Sequence, residues 1–390
     1  MRATKPRESG RCAQSLTKSA LVVVSASGEI QFGPGEQVPG TVYRVVEHLA
    51  TGGMGTVYDV EDITVGKRYV LKTLHPQLVS RVDLARRMEV EARALATLQH
   101  PNIVDVVTAG VTNQEPPTPF YVMERLNGQN LRVVLERKGP LGVAHGCVIA
   151  IAVLEALAHA HEHGVIHRDV KPDNIFLHRT ATGATVIKLL DFGILRLIDR
   201  NASETHGHFL GTPRYASPEQ VLGAELGPAA DLYSLGLVLY EMLAGRGPFD
   251  DIRDVFALGV AHAQRPPPPP STWGCRVPEA LEMLIMRSLS KDPAGRPVDA
   301  TVFAAALQAM LQEQLNGQAP QALRFDSEQR RSTTPPAAST SAITEPGRPK
   351  KLIPALTVAA IALLVLLAVG WFVFRDAPAP SVTPTGTHER

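Results

Sequence analysis

Three stretches of this sequence bring together residue types that could handle phosphate. The first, Leu49-Ala50-Thr51-Gly52-Gly53-Met54-Gly55-Thr56-Val57, sets glycines in a turn between two strand-like runs. Glycine lets backbone N–H groups come close to phosphate oxygens. The second is Lys72, in Tyr69-Val70-Leu71-Lys72 on the next run, with Glu91 further along and able to pair with it. The third, His167-Arg168-Asp169-Val170-Lys171-Pro172-Asp173-Asn174, gathers carboxylates, a lysine and an amide in one short loop. Phosphoryl transfer asks little covalent chemistry of a protein. It needs a phosphate cradle, a bound metal, a cation on the phosphates and a base that orients the hydroxyl. Taken singly, a glycine-rich hairpin is ordinarily a turn and a strand lysine ordinarily faces solvent; the case rests on the set.

The elements that must position these residues can be read from pattern. Tyr43–Leu49, Thr56–Val60, Arg68–Leu74, Ile103–Val107 and Phe120–Glu124 read as strands. Asp83 to Gln99 reads as a helix with Leu84, Met88, Leu95 and Leu98 near one face, ended by His100-Pro101-Asn102. This is a small strand-rich unit with one substantial helix. From about Leu131 helices take over: Gly146–His163, Ala230–Ala244, Glu279–Ser290 and Val298–Leu315, with short strands at Ile175–Leu177 and Val186–Leu190 beside the His167 loop. The proline run Pro266–Pro270 is a local extended loop.

Further motifs follow in order: Asp191-Phe192-Gly193, Gly211-Thr212-Pro213-Arg214-Tyr215-Ala216-Ser217-Pro218-Glu219, Asp231-Leu232-Tyr233-Ser234-Leu235-Gly236, and Arg296 in Lys291-Asp292-Pro293-Ala294-Gly295-Arg296-Pro297. One tripeptide could arise by chance; the ordered set could not. From about Tyr43 to Leu311 the chain resembles eukaryotic-like (Hanks-type) Ser/Thr protein kinases, and in domain order it resembles bacterial single-pass membrane kinases. The resemblance implies an α+β, bilobal protein kinase fold: a small β-rich lobe with one long helix and a large, mostly helical lobe. It also implies the roles. Asp169 is similar to the base that accepts the substrate hydroxyl proton, and Lys171 to the lysine that marks Ser/Thr enzymes. Asn174 and Asp191 resemble the metal ligands, hard oxygen donors suited to Mg²⁺. Lys72 would hold the ATP phosphates, with Glu91 fixing its side chain. Leu49, Ala50, Gly52, Gly53, Gly55 and Val57 would line the nucleotide. Met123 would stand beside the adenine, and Glu124 to Leu126 would form the hinge. Thr212 matches the substrate-docking threonine, and Glu219 with Arg296 resembles a structural ion pair of the large lobe.

Two positions depart from the family pattern. Ala50 stands where the first glycine of the phosphate loop is expected, and Val70 where a small alanine is expected near the nucleotide. Both predict weaker or reshaped nucleotide binding with the chemistry retained. Arg168, before the base, resembles an arginine that pairs with a phosphate on the activation segment. Ser203 and Thr205 are the acceptors in that segment, and each phosphate would add about −1.5 to −2 charge at neutral pH. His159 and His163 are four apart, a spacing that can bind metal on a helix, but this helix end ordinarily carries polar residues.

Bulk properties are those of a folded protein: 44% hydrophobic, 20% charged and a net charge of +1, which gives no bulk argument for nucleic acid. Cys12, Cys147 and Cys275 are widely spaced, with no disulfide framework or zinc pattern among them. Residues 1–42 read as an N-terminal extension without order, 43–311 as the kinase domain and 312–351 as a flexible juxtamembrane linker rich in Gln, Ser, Thr and Pro. Residues 352–374 carry no charge and, as a helix, would rise ~34 Å against ~30 Å of hydrocarbon. Arg348, Lys350 and Lys351 precede this span, so the positive-inside rule puts the kinase domain in the cytoplasm and residues 375–390 outside. That tail is shorter than the ~40 residues an unstapled domain needs, so activation would come through the span, a partner or the cytoplasmic segments. The implied partners are protein substrates, one membrane crossing, no nucleic acid and a homodimer for trans-autophosphorylation. The alternative to an active enzyme is a membrane-tethered pseudokinase acting as a scaffold. Such chains usually lose the lysine, the base or a metal ligand, and all are present here.

Overall fold

The computed structural model describes residues 31–52, 55–75, 95–115, 117–192 and 213–314. All fall within one unit of the chain, Met1–Ser327. The proposed membrane span, the linker beyond residue 314 and residues 83–94 of the helix expected over 83–99 lie outside the described residues.

The small lobe is a five-stranded antiparallel sheet. Its strands are β1 (Tyr43–Thr51), β2 (Gly55–Asp62), β3 (Lys67–Leu74), β4 (Val106–Val111) and β5 (Pro119–Glu124), in the order β1-β2-β3-β5-β4. Val, Tyr and Thr make up half of β2 and recur in β3, residues that suit a pleated, half-buried surface. The turn between β1 and β2 closes around glycine: a Cβ on Gly55 would sit 1.9 Å from the Thr73 carbonyl oxygen. Residues 31–42 correct the expectation of an unstructured extension up to residue 42. Phe32 and Val38 are fully buried against Tyr58 and Val60. The N–H groups of Gln31 and Phe32 donate to the Tyr58 hydroxyl at 3.1 and 3.3 Å. Two apolar anchors in a polar stretch gave too little periodicity to be recognised as part of the sheet's packing.

The fourth strand also differs from expectation, beginning at Val106 rather than Ile103. Ile103 makes only an isolated parallel bridge to Leu189. It is buried in the core of the large lobe, so its apolar character serves packing between lobes and not a strand.

The large lobe contains α1 (Leu131–Lys138), α2 (Val143–Glu162), α3 (Pro218–Leu222), α4 (Ala229–Ala244), α5 (Val255–Gln264), α6 (Glu279–Ser288) and α7 (Ala300–Gln314). A three-stranded sheet of β6 (Gly128–Asn130), β7 (Ile175–Arg179) and β8 (Thr185–Leu189) lies at its cleft side. The helix α2 is long and apolar enough to cross a membrane by composition alone. Here it is a core helix: Ile149, Val153, Leu154 and Leu157 have no exposed surface and pack in one cluster with Leu232, Leu235 and Leu239 of α4. The pattern of α4, buried on every side, marks it as the central post of this lobe.

Candidate active site

The sheet of the small lobe sets one row of side chains. Ala50 of β1 lies opposite Val57, Val57 opposite Lys72, and Lys72 opposite Tyr121 of β5. Cross-strand partners project to the same face, so these four side chains share one side of the sheet. Leu49 and Ala50 are half-buried at the end of β1, and the Gly52 N–H donates to the Gly55 carbonyl at 2.9 Å, closing the turn. Gly53 and Glu91 lie outside the described residues. One position over, Val70 lies opposite Met123 and packs with Leu126 and Leu190 around a small apolar cluster. At the hinge, Glu124 pairs with Lys188 of β8 at 2.7 Å, and Arg125 with the fully buried Asp59 at 2.7 Å.

Across the cleft, residues 167–174 are pinned from below. Asp231, in the first turn of α4, has no exposed surface. Its carboxylate accepts from the backbone N–H of His167 at 2.8 Å and of Arg168 at 2.7 Å, and meets the His161 ring at 2.8 Å. Arg168 has φ +66°, a left-handed conformation costly for a residue with a side chain. Asp231 offsets that cost by holding the two consecutive amides that lead into the kink. The Gln220 side chain adds a bond to the Arg168 carbonyl at 2.7 Å. The sequence signal for Asp231 is an acid in the first turn of an otherwise apolar helix.

The loop residues then converge. Lys171 Nζ donates to Asp169 Oδ2 at 2.9 Å. Asn174 Nδ2 donates to the Asp169 carbonyl at 2.8 Å and to Oδ2 at 3.1 Å. With its NH₂ group committed to Asp169, Asn174 keeps its side-chain oxygen as an acceptor. The backbone N–H of Leu190 donates to the Asn174 carbonyl at 2.8 Å, which ties the loop to the segment that leads from β8 to Asp191. His167 is buried, bonds the Leu190 carbonyl through Nε2 at 2.8 Å and lies 4.4 Å, ring to ring, from Phe192. Burial pushes its pKa below the ordinary imidazole value, although Asp231 and Asp169 pull the other way.

Asp191 joins the two halves of the cleft. Lys72 Nζ stands 2.8 Å from its Oδ1, and the Tyr121 hydroxyl donates to the same oxygen at 2.9 Å. Burial by itself would raise the carboxyl pKa; the Lys72 charge and the bonds from Lys72 and Tyr121 bring it below the usual carboxylate value. Its backbone is also left-handed, at φ +45°. Tyr121 was not singled out by sequence, because a tyrosine in a run of apolar residues reads as core.

Ser203, Thr205, Gly193 and Thr212 lie outside the described residues. The expected ion pair of the large lobe is present: Arg296 Nη1 and Nη2 meet the two oxygens of Glu219 at 2.7 and 2.9 Å. The guanidinium also bonds the carbonyls of Ser290, Ala229 and Lys291, and its side chain is completely buried. The helix-end histidines are otherwise engaged. His161 belongs to Asp231, His163 bonds the His159 carbonyl at 2.8 Å, and His159 stacks on His100. Among the described residues no group of His, Cys, Asp and Glu could hold a metal by itself. A second network beside the loop went unread in the sequence. Glu241 of α4 pairs with Arg132 and Arg214, each at 2.9 Å, and accepts from Tyr215.

The model of the protein kinase domain matches residues 43–311. This chain belongs to the Hanks-type Ser/Thr protein kinase family. It is 43% identical over 274 residues to the serine/threonine-protein kinase Pkn1 of Myxococcus xanthus, covering 70% of this chain and 38% of that protein. It is 38% identical over 271 residues to PknA of Mycobacterium tuberculosis, covering 69% of this chain and 61% of the relative. The chain thus spans less than two thirds of the length of each of these relatives. Among solved structures, the Mycobacterium tuberculosis PknI kinase domain superposes with a TM-score of 0.56 at 28% identity, covering 71% of this chain and 99% of that one. The bilobal protein kinase fold follows from the sequence match and the superposition alike.

Proposed function

We propose that this chain transfers the γ-phosphate of ATP to Ser and Thr hydroxyls of proteins, working at the cytoplasmic face of a membrane. One observation carries the reading: Asp169, held by Lys171 and Asn174 on a loop fixed from below by Asp231, shares the cleft with Asp191 and Lys72. In this reading Asp169 takes the proton of the incoming hydroxyl. Lys171, bonded to the same carboxylate, steadies it and adds a positive charge near the transferred group.

Lys72 is the cation for the nucleotide phosphates, and Gly52, Gly53 and Gly55 with Leu49, Ala50 and Val57 cover them. Glu124 to Leu126 border the adenine, with Met123 and Val70 behind it. Asn174 and Asp191 fit Mg²⁺: the first keeps an amide oxygen and the second a carboxylate below its usual pKa, both hard donors. Bound there, the metal would neutralise charge on the phosphates. Ser203 or Thr205, once phosphorylated, orders the activation segment through Arg168. Residues 352–374 cross the membrane and residues 315–351 tether the domain to it.

The test is incubation of the full-length chain with labelled ATP, Mg²⁺ and a generic protein substrate, followed by phosphoamino-acid analysis. Label on serine or threonine is expected. Binding of ATP with no transfer would overturn the reading and leave a scaffold. The phosphosite assignment fails if Ser203→Ala/Thr205→Ala retains full activity and the wild type carries no phosphate there.

A further inference from the structure

Resting on the reading of Asp191 as a metal-facing carboxylate, we infer that Tyr121 is a positioning residue whose hydroxyl keeps Asp191 oriented when Lys72 turns to the nucleotide phosphates.

The register makes the arrangement. Tyr121 and Lys72 lie directly opposite each other on β5 and β3, so both side chains leave the same face of the sheet. Both reach one oxygen: Lys72 Nζ at 2.8 Å and the Tyr121 hydroxyl at 2.9 Å from Asp191 Oδ1. The ammonium also lies 5.8 Å from the centre of the tyrosine ring. Oδ2 accepts no hydrogen bond from a described residue, which leaves it as the oxygen for a cation.

The two donors differ in what they do when phosphate arrives. Lys72 carries a unit charge on a flexible stem, and a polyphosphate attracts it strongly. A phenol is neutral, fixed to a ring with two torsions and only 3% exposed here. It has no comparable reason to leave. As the ammonium divides its bonds, the hydroxyl remains on Oδ1 and limits rotation of the carboxylate, so Oδ2 stays turned toward the metal. Phenylalanine would fill the same apolar space beside Met123, Val104 and Leu74. Packing therefore explains the ring but not the bond from its hydroxyl to Asp191.

The measurement is ADP affinity of the full-length chain by calorimetry, with Mg²⁺ and with EDTA, for wild type and Tyr121→Phe. The ratio of the two affinities reads the coupling between nucleotide and metal. Tyr121→Phe is expected to lower that ratio about tenfold or more while the EDTA affinity stays within about twofold, the scale set by losing one hydrogen bond to a charged group. A ratio equal to that of the wild type overturns the inference alone. Equal losses with and without Mg²⁺ overturn it too, since they mean the hydroxyl serves packing. A wild type whose ADP affinity ignores Mg²⁺ overturns both this inference and the site on which it rests.

Discussion

The two walls of the cleft are built on different principles. Below it, residues 167–174 are held by a buried carboxylate, Asp231, that bonds two consecutive backbone amides, and the same lobe is locked by the buried Glu219–Arg296 pair. Above it, the side chains meet the opposite wall through bonds that converge on one oxygen of Asp191. A backbone fixed by a buried charge cannot adjust without breaking several bonds. A side-chain pairing at a cleft can exchange one partner for another. The reacting hydroxyl needs the first kind of support, since a misplaced base loses rate steeply. The nucleotide, which must enter and leave, needs the second.

Removing the base is the sharpest way to break the comparison. Asp169→Asn is expected to lower kcat by about 10²–10⁴, the range for a positioned general base, while ADP affinity hardly changes. Equal losses of kcat and nucleotide affinity would mean the two walls are not separable. Next in size is the anchor of the large lobe. Arg296→Met leaves Glu219 buried without its partner and should cost ~3–5 kcal/mol of stability. Adding Glu219→Gln should recover much of it, because the orphaned charge is then gone. Denaturant midpoints of the two single variants and the double variant decide this.

How much of this was readable follows from the kind of support involved. The residues of the loop announced themselves because their side chains do the bonding: Asp169, Lys171 and Asn174 were named from sequence and are found on one another. The Glu219–Arg296 pair was named too, across a long separation, because each partner belongs to a motif of its own. Tyr121 was invisible, since its partner lies far along the chain and only the β3–β5 register reveals that it faces Lys72. Residues 31–42 escape a reading by periodicity because Phe32 and Val38 are isolated anchors, and periodicity needs a run. The strand at Val106 was misplaced because Ile103 is apolar for the sake of the other lobe. Sequence reports local pattern and motif chemistry well; it reports poorly where a single side chain serves a distant neighbour.

A third test probes the large lobe by acid. His262 is almost fully buried, its Nδ1 lies 3.2 Å from the Tyr233 hydroxyl, and Lys291 donates to its carbonyl at 2.8 Å. Burial first, and then the Lys291 charge, push its pKa down to about 3. The unfolded chain binds this proton near pH 6.5 and the folded one does not. Stability is therefore intact above pH 6.5 and falls as the pH drops toward 3. Between pH 7 and 5.5 this one group should remove about 1 kcal/mol. His167, also lowered by burial, adds to the same slope. Urea midpoints against pH should show a shallower acid limb in His262→Gln than in wild type, whatever the absolute stability of the variant. Parallel limbs would mean that His262 takes up its proton while folded.

The smallest expected effect lies on the adaptable wall. Ala50 sits in the row that leads through Val57 to Lys72, and Val70 stands opposite Met123 beside Leu126. Each adds methyl bulk where the nucleotide must enter. If the upper wall adjusts by exchanging contacts, extra bulk should weaken binding a little and leave the chemical step alone. Ala50→Gly and Val70→Ala should each lower KM for ATP about threefold, short of the ~10-fold that a full methylene mismatch costs in a rigid pocket. Steady-state kinetics at saturating protein substrate reads both constants. A change in kcat larger than the change in KM would mean that these side chains also hold Lys72 in place, and the division between a fixed lower wall and an adjustable upper one would then fail at the row Ala50–Val57–Lys72.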